Sequence, residues 1–286
     1  MDLLQMIRKY KLSKENEAEL ISYISNRYDS AEKIEISNRN NLDLWDDILC
    51  YGKIFGYSDA VNTKLCPRYP VKFMSPSDVD IIIYNSFAGK IPILYVKDTN
   101  DFEHLVTNIV YNGERPDNIS KTGASFVFGK TVCFIILSSK PYSNVSNEEL
   151  GIDAEEWREK SMLLRRDHEC THYFTQQRYG IAENRLHDEV MADFIGMYNA
   201  FGFYKAEWFL RFMGIIKGGG DRMVYYTKDM TPQVREAVAQ ILSQVAYMLE
   251  KWTQTSGFKA MSNAERVDVM CKKGLKGMLN MCNNAV

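Results

Sequence analysis

The sequence predicts a mainly helical α+β fold, in which a small mixed or antiparallel sheet lies beside a long helix carrying an H-E-x-x-H motif. Two observations favour this fold class. Strand-like runs are confined to residues 79–84, 91–96 and 125–137, whereas the chain beyond them is helical in pattern apart from loops. Residues 154–178 contain no Pro and no Gly, which indicates one long helix.

The chain divides into a helical N-terminal region, residues 1–70, and a larger unit, residues 71–286. Apolar residues at helical spacing, among them Leu20 and Ile24, predict helices in the first region. Residues 71–140 are expected to form the sheet, with turns at Gly89-Lys90 and Gly129-Lys130 and a short helix over Asp101–Tyr111 between the strand pairs. Helices are expected again over residues 154–202 and 231–284.

The long helix has clear start and stop signals. Asp153 is suited to the N-cap, and Glu156 follows three residues later as in a capping box. Gly180 is a good stop just past the last helical residue. The helix is therefore predicted over about residues 154–178, with the motif in its C-terminal half.

The motif reads His168-Glu169-Cys170-Thr171-His172, and it uses two of the four histidines of the chain. Residues four apart share a helix face, so both imidazoles can point at one ion. Neutral imidazole suits tetrahedral Zn²⁺, and Glu169 is placed to reach a water bound to the metal. Cys170 lies on another face and is interpreted as a small buried residue.

A second helical stretch begins at Leu186 and supplies the expected third ligand. Glu189 and Asp193 lie four residues apart and share a face. We expect Glu189 to bind the metal and Asp193 to accept a hydrogen bond from a ligating histidine, which would fix its tautomer. Asp188 is an alternative ligand, whereas His187 is expected to point away from Glu189.

HECTH followed by a helical E-x-x-x-D resembles the gluzincin branch of zinc metallopeptidases, the thermolysin-like group, over residues 154–202. The resemblance implies a zincin-like core over residues 71–286, with one Zn²⁺ per chain held by His168, His172 and Glu189. It also implies that Glu169 is the general base and that Asp193 accepts a hydrogen bond from one of the ligating histidines. The same stretch is similar to an uncharacterised bacterial H-E-x-x-H family.

The spacing departs from the thermolysin-like pattern, because Glu189 follows His172 by 17 residues, slightly fewer than in that group. A metzincin site is excluded, since Thr175 and Arg178 stand where that motif needs Gly and His. Two alternatives stay open. Beside a zinc metallopeptidase, the chain could be a zinc-binding regulatory or interaction protein with a catalytically silent site, or a hydrolase of some other amide.

A run of three glycines, residues 218–220, precedes candidates for a transition-state donor. These are Arg222, Tyr225 and Tyr226, with His187 as a further candidate. The glycine run itself favours a mobile surface loop. The hairpin over residues 123–138 is the candidate for pairing with an extended peptide, because it is the last sheet element before the long helix.

Composition agrees with a soluble enzyme, and the cysteines favour the cytoplasm. The chain has 45% hydrophobic and 25% charged residues with a net charge of −2, so neither nucleic acid nor anionic membrane is an expected partner. Six scattered cysteines without C-x-x-C favour a reduced compartment, and no secretory signal or membrane span is evident. The expected reaction is hydrolysis of peptide or protein substrates, with a slight preference for endopeptidase action.

Overall fold

The computed structural model of the chain describes residues 8–35, 42–129, 133–181, 185–217 and 219–281. The parts of the predicted N-terminal region and of the Gly129-Lys130 turn that fall between these ranges lie outside the described residues. The predicted fold class is confirmed, since helices predominate around a four-stranded mixed sheet. Among the described residues, no helix combines the length and apolar character that crossing a bilayer requires.

The helices and strands of the described residues have the following bounds. The α-helices are α1 (Lys14–Ile24), α2 (Leu42–Phe55), α3 (Tyr57–Ala60), α4 (Thr99–Val110), α5 (Asn147–Leu150), α6 (Ala154–Tyr179), α7 (Leu186–Phe201), α8 (Ala206–Phe212), α9 (Arg222–Tyr226), α10 (Pro232–Trp252), α11 (Ser256–Ala260) and α12 (Asn263–Met278). The strands are β1 (Val79–Ser86), β2 (Gly89–Val96), β3 (Ala124–Phe128) and β4 (Cys133–Ser138).

The four strands lie in the order β1-β2-β4-β3, so that β3 is an edge strand. β2 and β4 are parallel, and the two outer pairs are antiparallel. The first turn falls at Phe87 and Ala88, before the predicted Gly89-Lys90. The reason is local: the Ser86 hydroxyl donates to the Gly89 carbonyl at 2.6 Å and accepts from the Ala88 amide at 3.1 Å.

The sheet separates two apolar cores. Alternate residues of β4, such as Ile135 and Phe134, face opposite cores, and every residue of this strand is buried. The larger core includes residues of α6, α7, α8, α10 and α12, and the smaller one includes residues of α2 and α4. The predicted N-terminal region contributes to both cores, with Leu20 in the larger and Trp45 in the smaller.

The predicted long helix is confirmed as α6, with both of its end signals. The Asp153 side chain accepts hydrogen bonds from the amides of Glu155 and Glu156, and Gly180 ends the helix in the left-handed conformation with φ 67°. The helix contributes residues to the larger core, and its buried residues include both histidines of the motif.

Helices α6 and α7 pack at very short range because α7 carries Gly196 at the contact. A Cβ atom at this position would lie 2.5 Å from the Leu164 carbonyl oxygen and 3.2 Å from the His168 amide nitrogen. Gly196 is two turns beyond Glu189 and shares its helix face. The absent side chain therefore lets the face of α7 that carries Glu189 approach the motif.

We predict that Gly196→Ala destabilises the protein by about 1–3 kcal/mol, because the added methyl group forces the two helices apart. The better helix propensity of alanine, about 1 kcal/mol, is too small to offset this overlap. The free energy of unfolding in urea measures the effect. Gly257→Ala is the control, since a Cβ atom there meets no atom within 4 Å. Equal stability of the two variants would contradict the close helix contact.

Candidate metal centre

Three buried side chains from α6 and α7 converge on one point. His168 and His172 lie one turn apart on α6, and Glu189 lies in the first turn of α7. The two Nε2 atoms are 3.2 Å apart, and each is 3.6 Å from a carboxylate oxygen of Glu189. Among the described residues, these three form the group whose ligand atoms are close enough to share a metal ion, all within 4.8 Å of one another.

The tautomer of His168 is set by its neighbours. His168 Nδ1 lies 2.8 Å from Asp193 Oδ1 and 2.9 Å from the Tyr142 hydroxyl oxygen. Because the Tyr142 hydroxyl donates its own proton to Asp193, Nδ1 is assigned as the protonated nitrogen of His168. The lone pair of Nε2 then points at His172 and Glu189. Asp193 thus lies where the sequence predicts it.

The spacing of these donor atoms fits a tetrahedral ion. Ligand bonds of about 2.0–2.1 Å in a tetrahedron separate the ligand atoms by roughly 3.3–3.4 Å. The two Nε2 atoms are 3.2 Å apart, close to this value, and each lies 3.6 Å from a different oxygen of Glu189. Burial also lowers the pKa of His172 to about 4, so this imidazole is neutral at pH 7 and free to bind a metal. His168, His172 and Glu189 could therefore hold one metal ion.

Arg222 supplies the positive charge that these buried carboxylates need. Its Nη2 contacts Glu189 Oε2, and its Nη1 lies 2.8 Å and 3.0 Å from the two oxygens of Asp193. Burial opposes ionisation of Asp193, but the charge of Arg222 and the hydrogen bond from His168 outweigh it and lower the pKa of Asp193 to about 2. Both carboxylates therefore have a cationic partner.

The described glycines before Arg222 lie against neighbouring backbone, and Gly219 is exposed, as expected of a surface loop. A Cβ atom at Gly219 would lie 2.0 Å from the Arg211 carbonyl oxygen, and one at Gly220 would lie 2.7 Å from the Phe212 carbonyl oxygen. Gly218 lies outside the described residues. The two described glycines let the chain pass against the end of α8, and this path brings Arg222 to Asp193.

Glu169 borders a cavity of about 600 Å³ that opens beside the three donor side chains. His168, His172 and Glu189 also line it, and β3 contributes Ala124 to Phe126 and Phe128 to its wall. Glu169 is half-buried, and burial raises the pKa of its carboxyl group. A carboxylate of raised basicity thus lies next to the donor atoms and faces open space.

Tyr225 and Tyr226 line the same cavity but differ in their exposure and in the side chains that they contact. The Tyr226 side chain interacts with Glu189, and burial raises its pKa well above the usual value. Tyr225 is 38% exposed, and its ring lies 5.3 Å from the ammonium group of Lys121. Of the two tyrosines, Tyr226 is the one in reach of the donor cluster.

Three other residues considered from the sequence lie outside the cluster. His187 points away, with its ring Nε2 3.2 Å from the Met270 carbonyl oxygen. Asp188 accepts a hydrogen bond from the Tyr28 hydroxyl and is not part of the donor group. Cys170 is fully buried in the larger core.

Two residues near the centre were missed from the sequence. Tyr142 is one of 17 tyrosines and stands in no motif, so only the fold reveals its contact with His168. Arg165 is buried and donates to the carbonyl groups of Ser138 at 3.1 Å and Lys140 at 2.9 Å, which holds the segment leading to Tyr142. Its position one turn before Glu169 on α6 was the available signal.

Comparison with known proteins yields a family of unknown function. The family model DUF7005 matches residues 58–132 and 131–282. No curated protein and no solved structure gives a match to the chain. The match covers the sheet, α6, α7 and α9, and therefore every side chain of the centre described above.

We predict that Asp193→Asn weakens Zn²⁺ binding by about 10–100-fold, because the amide cannot supply the negative charge that holds the proton on His168 Nδ1. Competition with a chromophoric chelator measures the affinity. Asp47→Asn changes an exposed aspartate of α2 and serves as the control. Unchanged affinity in the Asp193 variant would show that this carboxylate does not support the donor cluster.

Proposed function

The chain belongs to DUF7005, a family of unknown function, and we propose that it is a zinc-dependent metallopeptidase of the gluzincin kind. One observation carries the proposal: His168, His172 and Glu189 present ligand atoms within 4.8 Å of one another, with Glu169 beside them on an open cavity. Structural zinc sites prefer four protein ligands, whereas catalytic sites keep a position for water. Three donors among the described residues favour the catalytic alternative over the silent one.

Each nearby side chain has a defined task in this proposal. Zinc would polarise the scissile carbonyl group and lower the pKa of a water molecule toward 7. Glu169 accepts the proton of the attacking water and passes it to the leaving amine, for which its raised pKa is suited. Asp193 and Tyr142 orient His168, and Arg222 holds the two carboxylates ionised.

Tyr226 is the proposed donor to the oxyanion. It lines the cavity, and a phenol, whose ordinary pKa is about 10, keeps its hydroxyl proton at neutral pH. Tyr226 has one carboxylate partner, Glu189, whereas the Nη1 and Nη2 atoms of Arg222 are engaged by both Asp193 and Glu189. A phenol donor aimed at a developing negative charge is a recognised source of transition-state stabilisation.

The proposed substrate is an extended peptide lying along β3. This strand is at the edge of the sheet, and its residues form one wall of the cavity. An edge strand offers unpaired amide and carbonyl groups that an added strand can use. The peptide bond of such a strand would pass in front of Glu169, on the side where the donor atoms converge.

We predict about one zinc per chain in the purified protein, and loss or weakening of that metal in Glu189→Ala and His172→Ala, because each change removes one of three ligands. Elemental analysis of the three proteins side by side gives the metal content. Thermal unfolding gives a second readout, since a ligand bound only to the folded state stabilises it. Absence of zinc from the wild type, even after reconstitution, would overturn the metal site.

We predict that Glu169→Gln keeps its zinc and loses roughly 10²–10⁴-fold or more in the rate of peptide hydrolysis, because glutamine cannot accept the proton of water. The rate is measured on a mixture of peptides by mass spectrometry, with metal content determined on the same sample. Glu159→Gln, at an exposed position of the same helix, is the control. Full activity in the Glu169 variant would rule out this mechanism.

A further inference from the structure

We propose that the cavity contains a specificity subsite on the face of the sheet away from the donor atoms, which takes an apolar side chain of the peptide substrate. The inference rests on the proposed peptidase function and names the peptides that such a site would accept. The subsite, here called the α4 pocket, is formed by cavity-lining residues at and after the end of α4 and on β3, namely Val106, Val110, Tyr111, Asn118 and Ser125.

The two faces of β3 belong to different parts of the cavity. Ala124 and Phe126 pack against the larger core, to which α6 contributes. Ser125 lies opposite Ile136 of β4, and Ile136 belongs to the smaller core together with Val106 of α4. Paired residues share a face of the sheet, and alternate residues of a strand point to opposite faces. Because the lining residues come from both faces, the cavity extends around the free edge of β3.

The general base on α6 is level with the start of β3. Arg165 Nη2 lies 2.7 Å from a Cβ atom built on Gly123, which directly precedes β3. The rings of Phe126 and Tyr173 are 6.1 Å apart. Glu169 lies midway between Arg165 and Tyr173 on the helix, so it is level with the first residues of the strand.

This level brings the α4 pocket to the residues around the reacting bond. Ser125, which lines the pocket, is the second residue of β3. A peptide paired with the free edge of β3 continues the sheet, and its neighbouring side chains point to opposite faces. Of the two residues that flank the scissile bond, one therefore points toward the donor atoms and the other toward the α4 pocket.

The α4 pocket has the surface chemistry of an apolar subsite. Val110 and Tyr111 are 38% and 41% exposed, and Val106 beside them is buried. The five residues of the pocket carry no charge. An apolar side chain that covers the two exposed residues removes apolar surface from water, whereas a charged side chain would lose hydration without gaining a partner of opposite charge.

A buried ion pair holds the α4 pocket in shape. Glu103 of α4 lies 2.8 Å from the ammonium group of Lys140, and both residues are buried. The same ammonium group donates to the carbonyl oxygens of Ser120 at 2.8 Å and Thr122 at 3.1 Å, shortly before β3. These contacts fix α4 to the start of β3, so the pocket is already formed in the free protein, as ligand sites usually are.

The test uses a degenerate mixture of ten-residue peptides with acetylated and amidated ends. Mass spectrometry of the products made by the wild type gives the residues at the two positions that flank each cut bond. We expect leucine, phenylalanine and similar residues to exceed aspartate and serine about tenfold at one of these positions, the effect of burying part of an apolar side chain. The same mixture is passed over immobilised, zinc-loaded Glu169→Gln, and the retained peptides are sequenced.

A charge placed in the α4 pocket should change the preferred residue. Val110→Lys alters an exposed side chain, so the change leaves the cores intact. We expect aspartate and glutamate to gain about tenfold over apolar residues at the same position, the effect of one charge-assisted contact. Ile54→Lys is the matched control, since Ile54 is 73% exposed on α2 and does not line the cavity. It should keep the preference of the wild type.

The outcomes separate this inference from the proposed function. Glu169-dependent cleavage without an apolar preference, or with one that Val110→Lys leaves unchanged, overturns the α4 pocket while supporting a zinc peptidase. Retention of apolar peptides that Val110→Lys abolishes, without any cleavage by the wild type, overturns hydrolysis and leaves the α4 pocket standing. Failure to cleave and to retain any peptide overturns both.

Discussion

The whole centre depends on keeping two carboxylates ionised inside the protein. Glu189 and Asp193 are 2% and 0% exposed, and burying an unpaired carboxylate costs several kcal/mol. Arg222 supplies a positive charge to both carboxylates: its Nη1 contacts Asp193 and its Nη2 contacts Glu189. A planar fork of donors can do this, whereas a lysine ammonium group is a single point charge. The position of α9, and of the glycines that bring it in, follows from this requirement.

The sheet and the helix pair are coupled through the segment that follows β4. Arg165 reaches from α6 to the carbonyl groups of Ser138 and Lys140, and Tyr142 returns from that segment to His168 and Asp193. The tyrosine and the arginine thereby connect the end of the interior strand β4 to the donor atoms. The end of β4 and the residues around Glu169 on α6 are consequently linked through hydrogen bonds.

The sequence predicted the features that repeat with helical period and failed where the fold brings distant residues together. His168, Glu169 and His172 follow from a spacing of four, and Glu189 with Asp193 from the same rule on the next helix. Asp153 and Gly180 were readable because caps have local chemistry. Tyr142 has no such local pattern. Arg222 was considered as a transition-state donor, but its pairing with both carboxylates depends on tertiary contacts that no spacing encodes.

The contact at Gly196 bears on how such centres are recognised in sequences. The pattern H-E-x-x-H with a later E-x-x-x-D states which atoms are available, but it does not state whether the two helices can meet. Gly196, three residues after Asp193, allows the two helices to come into close contact. The informative sequence pattern on the second helix is therefore E-x-x-x-D-x-x-G. A chain with the first two patterns and a bulky residue at the third position would carry the ligands without the site. Pattern searches that include the glycine therefore select for geometry as well as for chemistry.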